Sequence, residues 1–182
     1  GLYNVYNALA AVAAALELGV TAGRIAPALG GVTAAFGRVE TIDVAGRALS
    51  ILLIKNPAGA NEVLRTLRLE AAEEGLDLWI GLNDRIADGR DVSWVWDADF
   101  ELLAGAVRRV VCAGTRAPEM ALRLKYAGVA VESIEVEPEI ERSLDRALAG
   151  ANGRLFALPT YTSLLELRKL LAGRGLAKEF WQ

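Results

Sequence analysis

Apolar and polar positions follow two different rhythms along this chain, and the change from one to the other falls near residue 40. In the first, Asn4 to Leu18 is almost wholly helix-forming and Gly19 supplies a C-terminal stop. Thr21 is placed to cap a second short helix, Ala22 to Leu29, after which Gly30 and Gly31 open a loop through Phe36, Gly37 and Arg38. Strand-like sequence begins at Val39. Val39–Val44 and Arg47–Ile54 flank an Ala45-Gly46 turn and predict a hairpin. Asn61–Glu74 sets Val63, Leu64, Leu67 and Ala71 on one helical face, and Gly75 ends it. Strand runs then recur at Leu76–Leu82, Val107–Ala113, Ser133–Val136 and Arg154–Leu158. Helical patterns separate or follow them at Phe100–Ala104, Ala117–Tyr126, Glu139–Leu148 and Ser163–Ala172.

Apolar strand runs alternating with amphipathic helices predict an α/β fold, a Rossmann-like and mostly parallel sheet with helices on both faces. The opening hairpin adds one antiparallel strand, and the first forty residues form a short helical tail ahead of this domain. In such sheets ligands sit outside the carboxyl ends of the strands. Those ends are Lys55–Asn61, Asn83–Asp99, Gly114–Glu119 and Pro159–Thr162.

Composition narrows the picture. A chain of 182 residues can bury one core and carry an appendage. A formal charge of −3 and no basic stripe argue against a nucleic-acid or acidic-membrane surface. There is no histidine, and the single cysteine, Cys112, lies in a buried-strand pattern with no base to activate it. One cysteine excludes an internal disulfide and fits a cytoplasmic protein. The Ala-rich start has no basic leader, carries Asn4, Asn7 and Glu17, and is too short an apolar run to cross a bilayer. The chain starts without Met inside what reads as an ordered element, so it is expected to be a piece of a longer protein.

The candidate chemistry concentrates in Gly81–Glu101, which holds Asp84, Asp88, Asp91, Asp97, Asp99 and Glu101 with Trp94 and Trp96 among them. Acids and large aromatics leaving a strand end suit a site that meets a ligand or another protein. Three uses compete: Mg²⁺ ligation, general acid/base work, and orientation of a histidine brought by a partner. The plainer alternative is a solvated loop, with the tryptophans in the core, Asp88 or Asp91 capping a turn, and Asp97 capping the helix of Phe100. Lys55-Asn-Pro-Ala-Gly-Ala-Asn61 is either an anion site at a helix start or a capped turn. Gly114-Thr-Arg116 at a strand end is either an anion site, with Arg123 and Lys125 making the next helix basic, or, the favoured reading, an exposed helix start followed by a charged face. Thr160 or Thr162 is placed to cap the last helix. There is no GxxxxGK[ST], no GxGxxG and no His/Cys cluster for zinc, and a serine triad lacks its base.

Several stretches resemble the Mur ligase superfamily, ATP-dependent enzymes of peptidoglycan synthesis. Tyr3-Asn-Val-Tyr-Asn-Ala-Leu-Ala-Ala11 is similar to the helix ending the central domain, and Phe36-Gly-Arg-Val-Glu40 to the Arg-containing hinge that follows. Ile54–Asn61 resembles the first strand–helix turn of the C-terminal domain. Leu82-Asn-Asp84, Ala87–Asp97, Met120–Ala127 and Leu158–Thr162 resemble the branch that supplies the synthetase subunit of lipid II isoglutaminyl synthase.

The resemblance implies that residues 1–40 are the tail of a central ATPase domain and 41–182 a C-terminal domain. It implies ATP-dependent amidation of the D-glutamate α-carboxylate of the lipid II stem peptide to D-isoglutamine, through an acyl phosphate, at the inner face of the membrane. Ammonia would come from a GatD-type glutaminase in a heterodimer. ATP and Mg²⁺ would be bound mainly by a P-loop portion outside this chain, where the zinc ribbon is also expected. By position, Asn4 and Asn7 would contact adenine and Arg38 the phosphates, while Lys55, Asn56 and Asn61 would face nucleotide or carboxylate. Asp91, with Asp88 and Asp97 as alternatives, would orient the glutaminase imidazole, and Trp94 and Trp96 would lie at the interface. Two rival readings are an amino-acid ligase on the same scaffold and a stand-alone nucleotide or anion module.

Overall fold

The computed structural model describes residues 2–32, 38–71 and 74–177. The chain divides into two compact units, residues 1–35 and 36–182. The first holds helices α1 (Leu2–Glu17) and α2 (Ala22–Gly30). Gly19 ends α1 with φ +79°, donating to the carbonyl of Leu16, as its position after the helical run requires.

In the second unit the strands are β1 (Arg38–Val44), β2 (Arg47–Leu52), β3 (Leu76–Gly81), β4 (Val107–Ala113), β5 (Ile134–Val136) and β6 (Leu155–Pro159). They form one sheet in the order β1-β2-β6-β3-β4-β5. The β1–β2 pair is antiparallel, and the pairs β2–β6, β6–β3, β3–β4 and β4–β5 are parallel. The hairpin turns at Ala45 and Gly46, both with positive φ, which matches the right-handed twist of the strands it joins.

Helix α3 (Pro57–Glu70) links β2 to β3, α4 (Ala117–Tyr126) links β4 to β5, α5 (Ile140–Gly150) links β5 to β6, and α6 (Tyr161–Gly173) follows β6. Strand period two sorts the core into two layers. One face packs Leu78, Ile80, Val110 and Cys112 against Leu64 and Leu67 of α3 and Met120 and Leu124 of α4. The other packs Trp79, Val111 and Ala157 against Leu144 of α5 and Leu164 and Leu167 of α6. The mostly parallel α/β sheet with one antiparallel pair is thus as the apolar pattern predicts.

Element ends differ in one instructive place. Helix α3 begins at Pro57, four residues before the expected start, because Pro57 and Gly59 belong to its first turn. Proline is tolerated there, since a first-turn N–H has no intrahelical partner to lose.

Cys112 is fully buried, and desolvation pushes its thiol up to about 12. The sign follows: burial penalises the thiolate, so at pH 8 almost none exists in the folded chain. Alkylation by iodoacetamide at pH 8 should therefore be at least ~100-fold slower for native than for urea-unfolded protein, because the reactive species is the thiolate. Equal rates would show that the β4 layer opens freely.

Candidate functional site

The carboxyl edge of the sheet is organised by Asn83, two residues past β3 and 1% exposed. Its N–H donates to Thr160 Oγ1 at 3.1 Å, joining the ends of β3 and β6. Its side-chain Nδ2 donates to Thr162 Oγ1 (2.9 Å) and Glu166 Oε1 (3.2 Å), while Oδ1 accepts from the N–H of Thr115 (2.9 Å). One amide therefore ties three strand ends together with its donor and acceptor sides both used. Gly114, with φ +89°, lets the chain pass beneath this amide and the carbonyl of Leu82. Asp84 accepts from the Thr115 hydroxyl at 2.8 Å, and that bond, with Arg116, holds its carboxyl below the usual range. A depression of about 380 Å³ opens beside this hub, lined in part by Arg85, Thr115, Arg142 and Glu166. Its charged walls are internally paired: Arg85 with Glu166 at 2.7 Å, and Arg142 with Glu137 at 3.1 Å.

The connection from β3 to β4 carries the acids, and beyond Asp84 and Arg85 its main grips are at Asp88 and around Arg123. Asp88 accepts from the N–H of Thr162 at 2.8 Å through one oxygen and from the Thr162 hydroxyl through the other. Further on, two 3₁₀ turns, Ser93–Trp96 and Phe100–Leu103, pack Val92, Val95, Ala98 and Phe100 into the core. Arg123 reaches them from α4 and is itself 2% exposed. Its guanidinium donates to the carbonyls of Val95 (2.9 Å) and Ala98 (2.8 Å) and to Glu101 Oε2 (2.8 Å). It also lies against the rings of Trp96 and Phe100, 5.3 and 5.4 Å from their centroids. The Arg123 bond holds the Glu101 carboxyl below its ordinary range.

Among the three candidate catalytic acids the environments diverge. Asp91 is exposed, accepts from the N–H of Ser93 at 2.8 Å, and is held below the usual carboxylate range by Ser93 through backbone and side chain. It has no other partner among the described residues, so much of its acceptor capacity faces outward. Asp88 is engaged through both oxygens by Thr162, and Asp97 is exposed with no bonded partner among the described residues. Trp94 is half-buried against the core, whereas Trp96 is 50% exposed beside Tyr126, their ring centroids 6.0 Å apart.

The candidate binding residues lie apart from these acids in role. Asn7 is exposed on α1; the side chains of Asn4 and Arg38 lie outside the described residues. Lys55 is exposed at the start of α3 without a bonded partner among the described residues. Asn56 caps that helix, accepting from the N–H of Gly59 at 2.8 Å. Since Pro57 has no N–H, the first turn offers an anion only the N–H of Ala58, and the loop is a capped turn bearing one free lysine. Asn61 Oδ1 accepts from the N–H of Asp99 at 2.8 Å, joining α3 to the acidic connection.

Three local expectations are corrected. The last helix has Thr160 at its N-cap position without a side-chain cap bond, and the distant Asp88 caps it instead. Asp99, not Asp97, precedes the 3₁₀ turn of Phe100, again without a side-chain cap. Arg123 is buried rather than part of an exposed charged face. Its sequence signal was its spacing from Met120, Leu124 and Ala127, which sets it on the apolar side of α4. Among the described residues no group of three or more His, Cys, Asp or Glu side chains converges as a metal site. No helix among them is long and apolar enough to cross a membrane.

Comparison with known proteins sets this geometry in a lineage. Among solved structures, the fold is similar to MurF from Acinetobacter baumannii (TM-score 0.67, 24% identity, 95% of this chain and 38% of that one). It is also similar to Mycobacterium tuberculosis folylpolyglutamate synthase complexed with ADP and AMPPCP (TM-score 0.57, 19% identity, 86% and 36%). The chain is 38% identical over 180 residues to the lipid II isoglutaminyl synthase (glutamine-hydrolyzing) subunit MurT of Streptococcus pneumoniae. It is 39% identical over 176 residues to the subunit of the same name from Staphylococcus aureus. It spans 98% and 94% of its own length in these matches but only 40% and 38% of theirs. A family model described as MurT ligase C-terminal matches residues 53–164. With a buried amide joining three strand ends and an acid-bearing connection clamped above them, this chain belongs to the MurT ligase C-terminal family.

Proposed function

We propose that this chain is the C-terminal part of an ATP-dependent carbon–nitrogen ligase, the synthetase subunit of a lipid II isoglutaminyl synthase. Identity of 38% across 98% of the chain to a subunit of that name carries the reading. In this reading residues 1–40 end a central ATPase domain, and 41–182 form the C-terminal domain. Val5, Tyr6, Leu9 and Leu16 lie exposed on α1, an apolar surface that a larger domain would cover.

The reaction divides between subunits. ATP converts the D-glutamate α-carboxylate of the stem peptide to an acyl phosphate, with ADP released. Ammonia then attacks the acyl carbon, phosphate leaves, and D-isoglutamine forms after loss of a proton. A GatD-type glutaminase supplies the ammonia, its thiolate displacing it from glutamine and water releasing glutamate from the thioester. This chain has no histidine, so its contribution to that half-reaction is a carboxylate. Asp91 fills the role: charged, fixed on one side by Ser93, and open on the other to accept the N–H of an imidazole. Trp96 lies a few residues away with half its surface free for the partner.

Toward nucleotide, Lys55 supplies one positive charge without a bonded partner among the described residues, with Asn4, Asn7, Arg38, Asn56 and Asn61 the remaining candidates. The described residues do not make a Mg²⁺ cage, and the P-loop portion, with its zinc ribbon, would hold ATP and the metal. The complex would work in the cytoplasm, on lipid II at the inner membrane face.

Reconstitution tests this. The full-length synthetase chain, supplied with its glutaminase, glutamine, ATP and lipid II, should yield the amidated stem peptide with a mass decrease of about 1 Da. Omitting the glutaminase should abolish product unless free ammonium is added. Product formation from an amino acid without either nitrogen source would instead identify an amino-acid ligase.

A further inference from the structure

We propose that Asp88 and Arg123 are positioning residues for glutamine hydrolysis, fixing from either side the short arc that presents Asp91. This rests on the reading of Asp91 given above. The arc from Gly89 to Val92 makes no hydrogen bond to any described residue outside its own connection; the buried Val92 side chain is its attachment to the core. Its position is therefore set by what grips the chain before and after it.

Before the arc, Asp88 binds the N–H and hydroxyl of Thr162 at the first turn of α6. That hydroxyl also accepts from Asn83 Nδ2, so the grip is anchored in the buried hub at the strand ends. After the arc, Arg123 bonds to Val95, Ala98 and Glu101 and lies against Trp96 and Phe100. Burying a guanidinium is costly unless it is bonded, and among the described residues the bonds of Arg123, from Nε and one terminal nitrogen, all go to the acid-bearing connection. Gly89, with φ +88° and open space where a side chain would stand, turns the chain between the first grip and Asp91. Asp88 and Asp91 thus divide two tasks that their motif cannot distinguish: one carboxylate is turned inward to hold the loop, the other outward to the partner. A partner's imidazole must be met within a few tenths of an ångström for efficient proton transfer, which a loosely tethered surface acid cannot ensure.

The experiment measures glutamine hydrolysis by the full-length synthetase chain assembled with its glutaminase, comparing Asp88→Ala, Asp88→Asn, Arg123→Lys and Asp91→Asn. Asp88→Ala and Arg123→Lys should each lower kcat about 10–100-fold while the KM for glutamine stays within about twofold. Asp88→Asn, which retains an acceptor for the Thr162 N–H, should recover to within about fivefold of wild type, whereas a catalytic carboxylate at this position would not tolerate an amide. In an Asp91→Asn background, Asp88→Ala should add no further loss, because a residue acting through Asp91 has nothing left to position. Where Asp88→Ala does not assemble, Thr162→Val removes the hydroxyl half of the grip and should lower kcat about 3–10-fold. Wild-type kcat in Asp88→Ala (or in Thr162→Val) and in Arg123→Lys, multiplicative losses with Asp91→Asn, or equal inactivity of Asp88→Asn and Asp88→Ala would each overturn the proposal. Full turnover in Asp91→Asn alone would instead remove the underlying assignment of Asp91.

Discussion

Asp91→Asn in the assembled two-subunit enzyme is expected to lower glutamine hydrolysis about 10³–10⁴-fold, the scale seen when the orienting acid of a nucleophile–histidine pair becomes an amide. The substitution is nearly isosteric, and Asn can still accept the Ser93 N–H through its oxygen, so the 3₁₀ turn at Ser93–Trp96 should persist. What changes is charge and donor direction. The amide no longer stabilises an imidazolium, and its NH₂ can turn toward the imidazole nitrogen that should carry a proton. Because Ser93 holds the Asp91 carboxyl below the usual range, Asp91 remains ionised on acidification until the pH falls below that of an ordinary aspartate. Any loss of wild-type glutaminase activity between pH 5 and 7 should therefore not come from protonation of Asp91. Size-exclusion chromatography should show an unchanged complex, and amidation driven by added ammonium should survive, since in the proposed reaction Asp91 serves only the release of ammonia. Undiminished glutamine turnover would exclude Asp91 from the reaction.

Gly114→Ala is expected to have the largest effect on stability, about 3–5 kcal/mol, enough to leave much of a marginally stable domain unfolded. Two penalties coincide. Gly114 has φ +89°, which L side chains rarely adopt, and an added Cβ would stand 2.5 Å from the carbonyl oxygen of Leu82 and 2.6 Å from Asn83 Oδ1. The first of these is backbone, which also accepts the N–H of Arg116 at 3.0 Å and cannot withdraw without breaking that bond. Gly105→Ala separates the terms: φ is +67° there and nothing lies within 4 Å of the missing Cβ, so only about 1 kcal/mol of backbone strain applies. Urea denaturation of both variants checks the contrast. Equal small shifts would mean that the strand-end hub yields more easily than its bonding implies.

The acid-bearing connection shows how far sequence carries a functional site. Two indole rings among six carboxylates past a buried strand mark a surface worth attention, and the proposed role is an acid offered to a partner. Neither distinguishes Asp88 from Asp91, three residues apart and chemically alike. The distinction depends on Thr162, seventy-four positions later, which takes both oxygens of one and neither of the other. In the same way the Lys55–Asn61 turn has the composition of an anion site, yet Asn56 and Pro57 between them remove most of its free amides.

The sequence by itself determined the alternation of strands and helices, the hairpin at Ala45-Gly46 and the absence of any internal histidine chemistry. These follow from local periodicity, turn propensity and composition, which act over a few residues. Only the tertiary structure decided that β6 inserts between β2 and β3, that Asn83 joins three strand ends, and that Arg123 turns inward beneath the acids. The reason is physical. A polar side chain's hydrogen bonds are satisfied by whatever the fold brings within about 3 Å, and that neighbour can lie anywhere along the chain.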